Sequence, residues 1–271
     1  MNTGIFSESS LSRVEDASIN ASAPPQQRWV DGWLLRYGPG KARRARCVQA
    51  VADGCLPLDA RLALCADVFD AAGLPMIVRI TPFSRPLGLD AALAQRGFRA
   101  EDTTQVMVMR LGDVGGMQGG TSRGATRQVG TMAPLLERLA PADFAEAVGQ
   151  MRESPPDQRA GHTERLLHSP VPHQGWVLRR PDDGVVLACA QIATESDMVG
   201  LYDVFTHADS RGQGLATSLC ASLLAQAQAA GASVAYLQVL ASNEPARAVY
   251  LRLGFADAYA YHYRTLAPST A

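Results

Sequence analysis

Arg211-Gly212-Gln213-Gly214-Leu215-Ala216 is the stretch from which the rest of this chain is read. An apolar run, Val199-Gly200-Leu201-Tyr202-Asp203-Val204-Phe205-Thr206, comes just before it. After it, Leu215, Leu219, Leu223 and Ala227 recur every four residues. The order is therefore strand, glycine turn, helix. Such a turn aims several unpaired backbone N–H groups at one point, and the helix dipole adds positive potential there. That is a site for an anion, most often a phosphate. Gly212 and Gly214 let the backbone approach a ligand closely, Ala216 is nearly as small, and Arg211 adds a fixed positive charge.

Three other readings compete. A Walker loop needs Lys-Ser or Lys-Thr after the second glycine, and neither is present. A dinucleotide fingerprint needs a third glycine where Thr217 stands, and an acid after the next strand, which instead runs into Leu240 and Ala241. A plain helix N-terminus with packing glycines is the third, and the residues beyond the helix argue against it. Gly231 ends the helix, and Val234-Ala235-Tyr236-Leu237-Gln238-Val239 reads as a strand. Then comes Ser242-Asn243-Glu244-Pro245-Ala246-Arg247-Ala248-Val249-Tyr250-Leu251-Arg252-Leu253-Gly254-Phe255.

Together these segments resemble the GNAT superfamily of acetyl-CoA-dependent N-acyltransferases. Arg211, Gly214 and Ala216 match its pyrophosphate signature, Arg/Gln-x-x-Gly-x-Gly/Ala. Asn243, Ala246, Tyr250, Gly254 and Phe255 match its later signature at the usual spacing. The close resemblance covers about residues 185–264. It implies an α/β fold of the α+β type: a mixed, mostly antiparallel sheet flanked by helices. It also implies direct transfer of acetyl from acetyl-CoA to a small-molecule or peptide amine, with no metal.

The resemblance assigns roles as well. Arg211, Gly212, Gln213, Gly214, Leu215 and Ala216 would hold the pyrophosphate. The backbone of Val204, Phe205 and Thr206 would bind the pantetheine arm and polarise the thioester carbonyl. Asn243 and Ala246 would contact the coenzyme from the later helix; Asn243 also suits a plain N-cap. Tyr250 takes the general acid's position, and a phenol with an ordinary pKa of about 10 is protonated at neutral pH. A packed helix tyrosine is the alternative. The base is left open between Asp203 and Glu195, with His207 third.

The first part of the chain echoes the second. Gly32-Trp33-Leu34-Leu35-Arg36 resembles Gly175-Trp176-Val177-Leu178-Arg179, the helix stop Gly73 resembles Gly231, and Arg96-Gly97-Phe98 resembles Leu253-Gly254-Phe255. Nothing between Val48 and Leu62 resembles the phosphate turn. The expectation is a duplicated fold: a degenerate first copy over 1–111, a glycine-rich linker over 112–130, and an acetyl-CoA-binding copy over 131–271.

Composition narrows the classes. A net charge of −1 over 271 residues predicts no bulk attraction to nucleic acid or to an acidic membrane, which disfavours a tRNA-dependent aminoacyl-transferase. A non-catalytic acyl-CoA sensor is the other alternative, and the retained Tyr250 argues against it. Apolar runs are too short to span a bilayer, and Met1-Asn2-Thr3-Gly4-Ile5 is no export signal, so a cytoplasmic monomer or homodimer is expected. The five cysteines lack C-x-x-C spacing and read as buried free thiols; His162, His168 and His173 lack partners for a metal. Lys41 is the only lysine; with Arg36, Arg43, Arg44 and Arg46 it forms a basic cluster. That cluster is either a solvated face or a reader of an acidic acceptor or the coenzyme's 3′-phosphate.

Among the remaining segments, helices are expected over Ser9–Ala21, Leu58–Ala72, Leu89–Arg96, Leu135–Leu139 and Ala142–Met151, with a helical turn at Thr163–His168. Strands are expected over Trp29–Tyr37, Ala45–Val51, Leu74–Ile80 and Thr103–Leu111, and a hairpin over Trp176–Arg180 and Val185–Ala193. Gly38-Pro39-Gly40 reads as a turn and residues 1–8 as disordered.

Overall fold

The computed structural model describes residues 6–38, 41–112 and 133–266. The expected linker lies outside them except for Gly112, as do Met1–Ile5 and the Pro39-Gly40 part of the expected turn. The first half runs α1 (Glu8–Ala21), β1 (Gln27–Val30), β2 (Trp33–Arg36), β3 (Val48–Gln49), α2 (Leu58–Ala71), β4 (Ile77–Ile80), α3 (Leu89–Gln95) and β5 (Arg99–Arg110). The second runs β6 (Leu135–Leu139), α4 (Pro141–Met151), α5 (Pro156–Leu167), β7 (His173–Arg179), β8 (Val186–Glu195), β9 (Met198–Thr206), α6 (Leu215–Ala229), β10 (Val234–Leu240), α7 (Glu244–Arg252) and β11 (Ala256–Thr265).

All the strands join one eleven-stranded sheet in the order β1-β2-β3-β4-β11-β5-β10-β9-β8-β7-β6. Only the β3–β4 and β9–β10 neighbours are parallel, so the mixed, mostly antiparallel sheet with flanking helices is observed. The centre of the order is exchanged between the halves. The closing strand of the second half, β11, pairs with β4 of the first, while β5 of the first half pairs with β10 of the second. The two closing strands also pair with each other. The echoed segments hold equivalent places, since β2 and β7 are each the second strand from an outer edge.

The core follows from strand alternation. Tyr259, Tyr261 and Tyr263 are spaced two apart on β11 and all are buried, as period-two pleating requires. They pack with Leu11, Val14 and Ala17 of α1, so this core draws on both halves. Buried within it, Glu15 of α1 pairs with Arg79 of β4 and accepts a hydrogen bond from the Tyr259 hydroxyl at 2.6 Å. A second core lies on the α6 side, where Leu219, Leu223 and Ala227 pack on Leu201, Leu237 and Ile192.

Four expectations are corrected. Trp29–Tyr37 is a hairpin, not one strand, because Asp31 and Gly32 both take positive φ, 43° and 82°, in a two-residue turn. Leu135–Leu139 is the edge strand β6, not a helix; its ladder with β7 outweighs the local spacing. The strand expected over Ala45–Val51 shrinks to the two residues of β3, since a 3₁₀ turn occupies Arg43–Ala45. Finally, Phe6 is not loose but only 3% exposed, and Ser7 caps α1 by accepting from the Ser10 N–H.

Candidate active site

The site begins where two parallel strands part. β9 pairs with β10 only from Met198–Leu201 against Val234–Leu237. Against β8, Cys189 faces Phe205 and Gln191 faces Tyr202, so Asp203 and Val204 together oppose one residue. That is a β-bulge, and Asp203 carries it with a φ of 48°. A bulge bends its strand and sharpens its twist, which turns Val204–Thr206 away from β10. The backbone of Val204, Phe205 and Thr206 thus lies beyond the last residue paired with β10, at one wall of an opening between the two strands.

The opening leads to the glycine turn. After a 3₁₀ turn over Ala208–Ser210, Gly212 and Gly214 both adopt φ of 76°, and a Cβ added at either would meet nothing within 4 Å. Gly214 is the N-cap of α6 and no side chain caps the helix, so the first N–H groups, including those of Leu215 and Ala216, have no side-chain acceptor. Gln213 lies between the two glycines. Arg211 donates through Nε to the Thr206 carbonyl at 3.4 Å and places its guanidinium 5.8 Å from the Phe205 ring centre. A turn with open space in front of uncapped N–H groups fits a diphosphate.

On the facing side stands α7. Asn243 is its N-cap and accepts from the Ala246 N–H at 3.2 Å, so the capping role is present. Tyr250 is 8% exposed, lies edge-on to Phe255, and makes no side-chain hydrogen bond among the described residues. Burial raises its phenol pKa above the ordinary value, the neighbouring Cys220 adds to this, and Arg152 opposes it. Its proton is therefore firmly held at neutral pH.

The Asp203 carboxylate faces a group of cations from α4 and α5. Its oxygens lie 3.3 Å from His162 Nε2, 3.7 Å from Arg152 Nη2 and 4.0 Å from Arg165 Nη2. Burial alone would raise its pKa, but His162 at 3.3 Å, with the charges of Arg152 and Arg165, holds it well below the usual carboxylate range. A carboxylate so stabilised is a poor proton acceptor. Glu195, the other acid expected as base, stands apart from this group. It faces Met198 at the opposite end of β9, where Asn20 donates to it at 2.9 Å. Six residues of strand at about 3.3 Å each put it roughly 20 Å from Val204. His207 is largely exposed, with Nδ1 3.8 Å from Asp209.

Sequence alone does not single out His162 as a base, because it is one of three histidines in a single stretch, none marked by its neighbours. In the fold the three go separate ways: His162 to Asp203, His168 to the Glu164 carbonyl, and His173 to Gln191. Among the described residues no cluster of three His, Cys, Asp or Glu could hold a metal ion. Four cysteines are buried and Cys55 is exposed. No helix among the described residues is long and apolar enough to cross a membrane.

Beside Asp203 is a cavity of about 210 Å³. Its walls come from α4 and α5, from Asp203 on the bulge, and from Lys41, Ala42 and Ala45 of the first half. Of the basic cluster, only Lys41 reaches it. Arg36 is buried and donates to the Ile19 carbonyl at 2.7 Å, Arg43 pairs with Glu101 and Asp102, and Arg44 donates to Gln238 at 2.6 Å.

Residues 141–255 match the model of the Acetyltransferase (GNAT) family. Over 241 residues the chain is 24% identical to the uncharacterized N-acetyltransferase YobR of Bacillus subtilis (strain 168), covering 88% of this chain and 91% of that one. A GCN5-related N-acetyltransferase from Kribbella flavida superposes with a TM-score of 0.62 at 16% identity, over 95% of this chain and 96% of its own. A tandem GNAT protein from the clavulanic acid biosynthesis pathway superposes with a TM-score of 0.54 at 14% identity, over 82% and 76%. Structural likeness at these identities speaks for the fold alone.

Proposed function

Because the chain belongs to the GNAT acetyltransferases through residues 141–255, we propose that it transfers acetyl from acetyl-CoA to an amine by direct attack, using Tyr250 as acid and His162 as base. The observation that carries this reading is the opening between β9 and β10, which ends on the uncapped turn before α6.

Acetyl-CoA supplies the acetyl group as a thioester, already activated for attack by an amine. The N–H groups from Gly212 to Ala216, with Arg211 beside them, would hold the diphosphate. Val204, Phe205 and Thr206, which have no ladder partner in β10, would offer backbone groups on that side to the pantetheine arm, and Asn243 and Ala246 would close the other side. His162 has Nε2 turned to Asp203, which leaves Nδ1 to take the proton that the amine loses as its new N–C bond forms. Asp203 stays ionised, orients the ring and stabilises the imidazolium. Tyr250 Oη gives its proton to the sulfur as the C–S bond breaks, and its burial keeps that proton in place beforehand.

The test is Tyr250→Phe in single turnover with an amine found by screening for released thiol. The substitution removes one hydroxyl and little volume. Binding of acetyl-CoA should be nearly unchanged while the transfer step slows by roughly one to three orders of magnitude. An unchanged chemical rate would take Tyr250 out of the mechanism, and a change confined to KM would make it a binding residue.

A further inference from the structure

The cavity beside Asp203 has more positive charge than it can use. Four cations line it, Lys41, Arg152, Arg159 and Arg165, against the single carboxylate of Asp203. Arg159 is satisfied elsewhere, by Glu146 at 2.7 Å and the Ser154 carbonyl at 2.7 Å. Arg152 and Arg165 share Asp203 at 3.7 and 4.0 Å, and neither donates a hydrogen bond to any described residue. Lys41 has no ion pair among the described residues.

A guanidinium carries five N–H donors. Arg165 is the costly case, because its side chain is only 14% exposed. Burial lowers its pKa, and Asp203 offsets this only in part. A half-buried cation whose N–H donors face a cavity and have no protein acceptor is a ready partner for an anion. The same cavity presents Asp203 and His162, which suit an amine. No residue of α6, α7 or β10 lines it, so it is separate from the glycine turn and adjoins the opening through the bulge. At about 210 Å³ it is smaller than the ~300 Å³ at which drug-sized sites begin.

We propose that the acceptor is a small amine that also carries an oxyanion, and that Arg165 and Arg152, with Lys41 at the rim, bind that oxyanion while Asp203 and His162 receive the amine. The proposal rests on the transfer reading above. A carboxylate is the favoured oxyanion, because a guanidinium fork matches it with two parallel hydrogen bonds; a phosphate offers the same chemistry.

The experiment uses matched amines: lysine against cadaverine, β-alanine against β-alaninamide, and O-phosphoethanolamine against ethanolamine. Titration calorimetry with the whole chain reads binding, and thiol release from acetyl-CoA reads transfer. The anionic member of a pair should bind at least ~10-fold tighter, the scale of one charge-assisted contact. Preference in the first two pairs identifies a carboxylate, and preference in the third alone a phosphate. Arg165→Gln should raise the Kd and KM of the anionic member roughly 10- to 100-fold, a larger loss than the one it causes for the neutral member, which shares only the effect on Asp203. Arg165→Lys keeps the charge without the fork and should fall between; it also serves if the glutamine variant does not fold. Selective binding without thiol release would uphold the anion site and overturn the transfer reading. Thiol release with no preference between members, or an equal loss for both in the Arg165 variants, would overturn the proposal and leave the transfer reading standing.

Discussion

His173 shows how far one side chain can report on the packing between α5 and the sheet. Burial, and next the charge of Arg165, push its pKa down to about 4, and its Nδ1 lies 3.1 Å from Gln191 Oε1. An unfolded histidine titrates near ~6.5. Between those values the unfolded chain binds the extra proton, so stability rises with pH across the window. The contribution is complete above about pH 6.5 and is lost as pH falls to about 4. Its upper bound is about 3 kcal/mol, less what solvent screening removes at a partly exposed ring. Thermal melts at fixed ionic strength should show this loss, and His173→Gln should flatten it. Asp203 acts lower: its depressed carboxyl stabilises the fold above the unfolded value of about 3.8 and loses that effect as pH falls further. An unchanged slope in His173→Gln would assign the window to other groups.

At the scale of the element, α6 and the turn before it can be tested apart from catalysis. Gly214→Glu puts a carboxylate where the diphosphate would lie. Its φ of 76° makes any side chain strained there, at a cost of about 1–2 kcal/mol, but the space in front is open and the fold should survive. Acetyl-CoA should raise the melting temperature of the parent chain by mass action and leave the folded variant unmoved. Stabilisation that persists in the variant would place the coenzyme elsewhere.

This element is also the most legible in the sequence. The four-residue period of α6, the apolar runs of β9 and β10, and the glycines at their ends are local signals, and local signals survive in a sequence. The parts that are not legible depend on distant partners. Leu135–Leu139 has helical spacing but is held by β7. The bulge at Asp203 shows only in its register against β8. His162 has nothing in its neighbours that marks it; it meets Asp203 because α5 packs beside that bulge. Asp31-Gly32 is the exception, a two-residue hairpin signal that lies in plain sight inside an apolar run.

For the whole molecule, the near-symmetry of the sheet raises the question of how many coenzymes one chain takes. In the first half the segment before α2 corresponds in order to the glycine turn before α6. There the Asp31 carboxylate accepts from the Cys55 N–H at 2.8 Å and the Leu56 N–H at 2.9 Å, and pairs with Arg61 at 2.8 Å. Those backbone hydrogen bonds, helped by Arg61, lower its pKa, so an anion built into the chain already uses the donors. A Cβ at Gly54 would come within 2.3 Å of the Asp31 carbonyl, which leaves no room for a second ligand. Calorimetry with acetyl-CoA should therefore give one site per chain, and two equivalent sites would rule out this role for Asp31.

The exchange of β5 and β11 has a consequence in time. On a ribosome, β4 and β5 emerge well before the strand that separates them. From Arg110 to Ala256 is 146 residues (256 less 110), or about 7–30 s of synthesis at about 5–20 residues per second. Through that interval the nascent first half has three strand edges awaiting partners, one on β4 and both on β5, and an apolar layer under α1 still lacking Tyr259, Tyr261 and Tyr263. Neither half can close its sheet before the other is made, and a message truncated before codon 256 would lose both.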